Sequence, residues 1–248
     1  MITKDNLKNV LSSLCFKKAT IGEYYTKTFS TCDICVDFDN EKLVYPENKG
    51  LVVNDKTTSN FSHNENFVVF ECVCRLLEKG YRPEHIELEP KRQFGRDAKG
   101  GKADIIVKDE NGDTLIIIEC KTAGAEYNKE VKNTEEYGGQ LFSYWQQENA
   151  ARWLVLYASD WKDECVVVKS QVINCTDDAN VVKMAEKDKN VLIYSNAHTD
   201  KERFAVWDET YNEAWIDNLI FDEDSQAYNI GIPPLRKNKL RDFTPEDK

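Results

Sequence analysis

Apolar and polar positions divide the chain into stretches of different period. After Thr3, the residues Leu7, Val10, Leu11 and Leu14 recur at helical spacing, which predicts an amphipathic N-terminal helix. Ile34, Val36 and Phe38, then Asp39-Asn40, then Leu43 and Tyr45, alternate as a short hairpin. Residues 46–62 are polar and read as loop. Ser62-His63-Asn64-Glu65 reads as a capping box opening a helix that runs through Phe67 to Leu77 and stops at Gly80.

Further along, residues 84–89 read as a strand and 91–101 as a basic, glycine-containing loop. Two strongly apolar segments, 103–108 and 114–120, flank Glu110-Asn111-Gly112-Asp113, and Asn-Gly is a strong hairpin signal. A long helix is expected within 129–149, weakened or bent by Gly138-Gly139. Segments 153–158 and 165–169 are further strands, with 191–194 and 204–207 extending the sheet. The polar stretch after Pro233-Pro234 resembles a linker. This order predicts an α/β fold, a mixed central β-sheet flanked by helices with N-terminal and C-terminal extensions. The expected division is an N-terminal helix and hairpin over 1–60, a core over 61–175, an acidic extension over 176–232 and a linker over 233–248.

Charge sharpens this layout. The 248 residues carry 33 Lys+Arg and 44 Asp+Glu, so 33 − 44 = −11, and hydrophobic residues make up 41%. A chain that apolar is not disordered, and one that acidic is not a general DNA-coating protein. The acidity is local, however. Residues 204–235 hold Asp208, Glu209, Glu213, Asp217, Asp222, Glu223 and Asp224 and no Lys or Arg, whereas Lys91, Arg92, Arg96, Lys99 and Lys102 oppose only Asp97 within 91–102. A polarised molecule is expected, its acidic extension turned away from DNA or toward a basic partner. No apolar run approaches the ~20 residues of a membrane span, so a cytoplasmic protein with no membrane partner is expected. Cys32-Asp33-Ile34-Cys35 is the single CxxC, without the second pair a zinc ribbon needs, and the eight cysteines read as reduced thiols.

The hairpin carries the chemistry. A two-residue turn at Asn111-Gly112 pairs residues whose numbers sum to 223, so Val107 faces Ile116 and Asp104 faces Glu119. Two carboxylates ~5 Å apart repel by about 3 kcal/mol at an effective dielectric of ~20. A divalent cation between them reverses the sign, and Mg²⁺ prefers such hard oxygen ligands together with water and phosphate. Alternation puts Lys121 on the face of Glu119 with Cys120 turned away, and the same register brings Lys102 opposite Lys121. Two acids and two lysines at one end of a hairpin suit phosphodiester hydrolysis. Strand-end acids with solvent access and a salt-bridging Lys121 would explain the same residues without chemistry.

Asp104, fourteen intervening residues and then Glu119-Cys120-Lys121 resemble the PD-(D/E)XK nuclease motif, with Ala103 where a proline often precedes the Asp. Gln140 and Tyr144, four apart on one helix face, resemble the QxxxY motif of the RecB-like branch. The wider run over 64–158 is similar to the N-terminal nuclease domain of type I restriction enzymes. The resemblance implies Mg²⁺, with Mn²⁺ as a substitute, bound by Asp104, Glu119 and the Cys120 carbonyl, with Lys121 as the catalytic lysine. It makes Glu65 the acid of the first helix near the metal, against its reading as the capping partner of Ser62. It further implies substrate contacts from Gln140 and Tyr144, the latter also readable as helix packing with Tyr137, Leu141 and Trp145.

Glu89 is an additional carboxylate near the metal or an exposed strand end. Arg92, Arg96, Lys99 and Lys102, with Lys91, are expected to neutralise DNA phosphates, although family members carry Arg near the position of Lys102. The implied partners are DNA, a downstream helicase or methyltransferase domain and other restriction-modification subunits. No nucleotide-binding motif occurs in the chain. The expected activity is therefore Mg²⁺-dependent DNA cleavage within a type I-like restriction enzyme. Two alternatives stay open: a non-catalytic DNA-binding or docking module of the same fold, and an enzyme acting on RNA or branched DNA.

Overall fold

The apolar run that follows His63 forms helix α2 (Asn64–Glu78), and its residues Phe67 to Val73 are all buried, as are Cys74, Leu76 and Leu77. A helix apolar on every side has to be enclosed. The N-terminal region covers one side of α2, through ring contacts of Phe16 and Tyr45 with Phe70 and of Phe61 with Phe67. The central sheet covers the other side, and the whole forms a single apolar cluster that includes Ile34, Val36, Leu76, Ile116, Ile118 and Val155. Losing one such side chain, as in Leu76→Ala, costs about 2–5 kcal/mol.

The structure, a computed structural model, describes residues 1–90, 102–137, 139–148, 150–176 and the pairs 221–222 and 227–228. The N-terminal part is helix α1 (Leu7–Ser13) and a four-stranded antiparallel sheet of β1 (Lys17–Lys18), β2 (Tyr24–Thr28), β3 (Asp33–Asp37) and β4 (Lys42–Val44), in that order. The central sheet has six strands, β5 (Val52–Val53), β6 (Ile86–Leu88), β7 (Ile105–Lys108), β8 (Thr114–Cys120), β9 (Trp153–Lys162) and β10 (Cys165–Asn174), running from β10 at one edge to β5 at the other. It is mixed: β5–β6 and β8–β9 are parallel and the remaining pairs antiparallel. Parallel neighbours need a helical crossover. Helix α2 makes the first, and α3 (Ala125–Tyr137) with α4 (Gly139–Gln147) makes the second. The result is the expected α/β arrangement of a mixed sheet flanked by helices.

The centre of the expected hairpin holds its register. Ile105, Ile106 and Val107 pair with Ile118, Ile117 and Ile116. The turn itself is different. Lys108 pairs with Thr114 across a bulge, and the Asp109 side chain accepts from the backbone N–H of Asn111 at 2.8 Å and of Asp113 at 3.0 Å. An Asp-centred loop, with Gly112 at φ +87°, thus replaces the two-residue turn.

Other boundaries also move. The expected loop 46–62 contains β5 and two single-turn helices, Glu47–Lys49 and Lys56–Ser59. The strand expected at 84–89 begins with a 3₁₀ turn, Pro83–His85, leaving three residues for β6. Ser62 does not cap α2. The helix starts after His63 with no side-chain cap, because Asn66 Nδ2 donates to Thr57 O at 2.7 Å and Asn60 O at 3.0 Å and draws the preceding turn against the helix. Glu65 is therefore no capping partner. The expected long helix is two helices, broken where Gly139 takes φ +55°. Strands β9 and β10 are longer than expected, while the segments 191–194, 204–207 and 233–248 lie outside the described residues. Among the described residues all eight cysteines are free thiols, and no helix is long and apolar enough to cross a membrane.

Candidate active site

Alternation along the strands assigns the two faces of the sheet. Ile106, Ile117, Leu154 and Leu156 pack with Leu141, Phe142 and Tyr144 of α4, while Ile105, Ile116, Ile118 and Cys120 pack on the α2 side. Asp104 and Glu119 share the parity of Ile106 and Ile117, so both carboxylates face α4. They lie one step beyond the last ladder pair, Ile105 with Ile118. Their strand ends are held together by a bond that replaces the ladder. The Cys120 N–H donates to Asp104 Oδ2 at 2.6 Å, and the Glu89 N–H donates to the Asp104 carbonyl at 3.0 Å. Cys120 thus reaches this end through its backbone, and its thiol points into the core beside Cys72.

Both acids are buried, Asp104 to 8% exposure and Glu119 to 2%. Lys121 Nζ donates to Glu119 Oε1 at 2.5 Å and lies 3.9 Å from Glu65 Oε1. Glu119 Oε2 is buried without a hydrogen-bond partner. Burial, followed by the Glu119 charge, pushes the Asp104 carboxyl well above the usual carboxylate range. Burial pushes Glu119 up to about 7 even though Lys121 opposes the shift. Burial likewise raises Glu65 and Glu89. For Lys121, burial favours the neutral amine, but Glu119, Asp104 and Glu65 together outweigh it and hold the ammonium above the ordinary lysine value. Three acidic groups thus surround one ammonium at this spot.

A cleft of about 630 Å³ opens onto Asp104 and is lined by Glu65, Glu89, Glu126, His63, Asn66 and Thr122 among others. Glu65 reaches it from the first turn of α2, and Glu89 from the end of β6, where its φ of +48° turns the chain out of the sheet. Glu126 and Thr122 were not anticipated. Their hydroxyl–carboxylate bond links positions four apart just after Lys121, a spacing visible in the sequence. Among the described residues, no three His, Cys, Asp or Glu side chains converge as a ready-made metal cage.

Gln140 and Tyr144 do share a face of α4. Gln140 Nε2 donates to the Tyr144 hydroxyl at 3.3 Å, with Gln140 exposed and Tyr144 buried. Burial and then the Glu119 and Asp104 charges raise the Tyr144 hydroxyl, which puts it beside the carboxylate pair. Lys102 takes another direction from that expected. Its ammonium lies 3.6 Å from Asp55 rather than opposite Lys121, because the ladder ends at Ile105 and the preceding backbone is released from the register. Lys91, Arg92, Arg96 and Lys99 lie outside the described residues.

Residues 64–173, under half of the chain, match the family described as "Type I restriction enzyme R protein N terminus (HSDR_N)". The matched span runs from the first residue of α2 almost to the end of β10 and contains both carboxylates, Lys121, Gln140 and Tyr144. The resemblance of 64–158 to the N-terminal region of type I restriction enzymes is supported over that span, which gives it a restriction-enzyme context. No curated protein matches the chain.

Proposed function

We propose that the chain is a Mg²⁺-dependent deoxyribonuclease module of a type I-like restriction enzyme, cleaving DNA phosphodiester bonds at Asp104, Glu119 and Lys121. One observation carries the reading. A family-matched hairpin ends in two buried carboxylates whose combined charge is under-compensated, with one oxygen lacking any hydrogen bond. Burying a carboxylate without a partner is costly, so an opposite charge at this point is favoured.

The donor set fits a hard cation. Mg²⁺ is commonly held by one or two carboxylates plus water and substrate phosphate, so a pair of acids without a full cage suffices. Asp104, Glu119 and the Cys120 carbonyl would hold it, with Glu65 at the edge of the site and Mn²⁺ as an alternative ion. When bound, the ion supplies Lewis-acid activation of the phosphate and of a water. Lys121, charged at neutral pH, acts as a fixed hydrogen-bond donor that orients the attacking water and offsets phosphate charge, not as a neutral base. Tyr144, held by Gln140, closes the α4 side of the pair and limits access of bulk water. DNA, a motor or methylase domain and other restriction-modification subunits are the partners of this reading.

The test uses supercoiled plasmid, single-stranded DNA and RNA, each with Mg²⁺ and with Mn²⁺. The wild-type chain is expected to nick plasmid only with metal, and Asp104→Ala is expected to remove both nicking and metal-induced thermal stabilisation while the domain stays folded. Cleavage retained by Asp104→Ala overturns the assignment. Because no third ligating side chain converges on the pair among the described residues, one second reading stands beside it, a non-catalytic docking module of the same fold. It predicts DNA binding that is insensitive to metal and to Asp104, and cleavage of none of the three substrates.

A further inference from the structure

Helix α4 begins in an unusual way. The helical run is broken at Gly139, and yet Gln140, the second residue of α4, already carries a side chain assigned to the site. A helix that starts next to two glycines needs something to fix its first turn, since its first four N–H groups have no partner within the helix. The side chain that meets this need belongs to α3. Glu130 is buried to 7% exposure, and its Oε1 accepts the Gln140 backbone N–H at 3.2 Å while Oε2 accepts Asn133 Nδ2 at 3.1 Å. Both donors are neutral, one at the start of α4 and the other three residues along α3 itself.

The glycine is fitted to this contact. Gly139 takes φ +55°, a conformation L side chains rarely adopt, and a Cβ there would come within 2.7 Å of Glu130 Oε1 and 2.8 Å of Thr134 Oγ1. Thr134 is itself wholly buried. One turn along α4, Gln140 Nε2 meets the Tyr144 hydroxyl, which lies beside Glu119 and Asp104. A continuous path thus runs from the Glu130 carboxylate through the first turn of α4 to the face of the carboxylate pair.

We infer that Glu130 is a positioning residue: its carboxylate caps α4 through the Gln140 N–H across Gly139 and thereby sets the Gln140–Tyr144 pair against Asp104 and Glu119. This rests on the nuclease reading for its consequence in catalysis, but its structural claim stands apart from it. The hydrogen bonds of Glu130 go to Gln140 and Asn133 and not to Asp104, Glu119 or Lys121, although its charge adds to those that raise the Glu119 carboxyl. Glu130 acts through where Gln140 and Tyr144 stand, and an acceptor oxygen, not the negative charge, is what the cap requires.

Two measurements on the full 248-residue chain test it. In hydrogen exchange, Glu130→Ala is expected to speed exchange of the Gln140 amide and its neighbours in the first turn of α4 by about tenfold, the size of a lost cap, with β7 and β8 unchanged. Glu130→Gln, which keeps an acceptor, is expected to restore protection, and Gly139→Ala to mimic Glu130→Ala. In metal-dependent nicking, Glu130→Ala is expected to lower kcat about tenfold with KM for plasmid within twofold, and to add nothing further in a Gln140→Ala background.

Unchanged exchange at Gln140 in Glu130→Ala overturns the inference, as does failure of Glu130→Gln to restore it. Additive losses in the double variant overturn the route through Gln140. If wild type nicks no substrate, the nuclease reading fails while the exchange arm still decides whether Glu130 caps α4.

Discussion

The two faces of the central sheet each bury carboxylate, and they treat it in opposite ways. On the α2 face, Glu71 is 2% exposed and fully met: Arg75 donates to its Oε1 at 2.8 Å and the Tyr157 hydroxyl to its Oε2 at 2.5 Å, while Arg75 Nε donates to the same hydroxyl at 2.9 Å. On the α4 face, Glu119 meets the Lys121 ammonium through one oxygen, Asp104 meets only the Cys120 N–H, and the second Glu119 oxygen has no hydrogen bond. A closed triad of matched charge and hydrogen bonds locks a helix to a strand. An open pair of like charges stabilises nothing by itself and marks a candidate site. Burial alone therefore does not separate the two sites; the unmet oxygen and the surplus of acids do.

The largest effect expected from breaking this contrast is in catalysis. Lys121→Ala removes the ammonium that meets Glu119, and a fall of about 10²–10³ in metal-dependent nicking is expected with DNA affinity little changed, as read by single-turnover cleavage beside a binding titration. Next comes stability. Glu71→Ala leaves Arg75 and Tyr157 without their acceptor and is expected to cost about 3 kcal/mol, lowering the melting temperature by about 6–12 °C, with nicking per folded molecule unchanged.

A smaller effect has the opposite sign. Asp104 and Glu119 hold protons in the folded state at pH values where the unfolded chain has lost them, since both folded values are raised above the ordinary ones, Glu119 to about 7. Their contribution is thus most favourable below pH ~4 and is lost as pH rises toward and through 7. Asp104→Asn removes part of that penalty, and a metal-free gain of about 1 kcal/mol, or 2–4 °C, is expected at pH 8, shrinking at pH 5. Added Mg²⁺ is expected to stabilise wild type and not this variant. Least is expected of Tyr144→Phe, which removes the hydroxyl that Gln140 meets: a drop of about fivefold in nicking rate with unchanged melting.

The central part of this arrangement was legible in the sequence. Strict alternation on either side of Asn111-Gly112 placed Asp104 and Glu119 on one face, and three ladder pairs keep that register. The capture of Asp104 Oδ2 by the Cys120 N–H was not legible, because a side chain replacing a ladder bond leaves no pattern of its own. Strand β5 escaped for a related reason. It is two residues long and pairs in parallel with β6, on the far side of α2, so all of its stabilisation comes from distant residues. Lys102 was extrapolated along a ladder that stops at Ile105, and it turns to Asp55 instead. The Gly138-Gly139 pair announced a break, but the acid that fills it stands a helix away, at Glu130.

The bulge between Val107 and Lys108 has a practical consequence. It separates the regular pairing from the exposed tip of Glu110, Asn111 and Gly112, which stands at the opposite end of the hairpin from Asp104 and Glu119 and beyond Lys108, itself about 13 Å from Asp104 at the rise of an extended strand. With the strands clamped beyond the bulge, a fluorophore or a short peptide grafted at Asn111 would ride on the frame of the hairpin without entering the cleft. That tip offers a handle for tethering the chain or measuring its distance to added DNA while the Asp104–Glu119 end is left untouched.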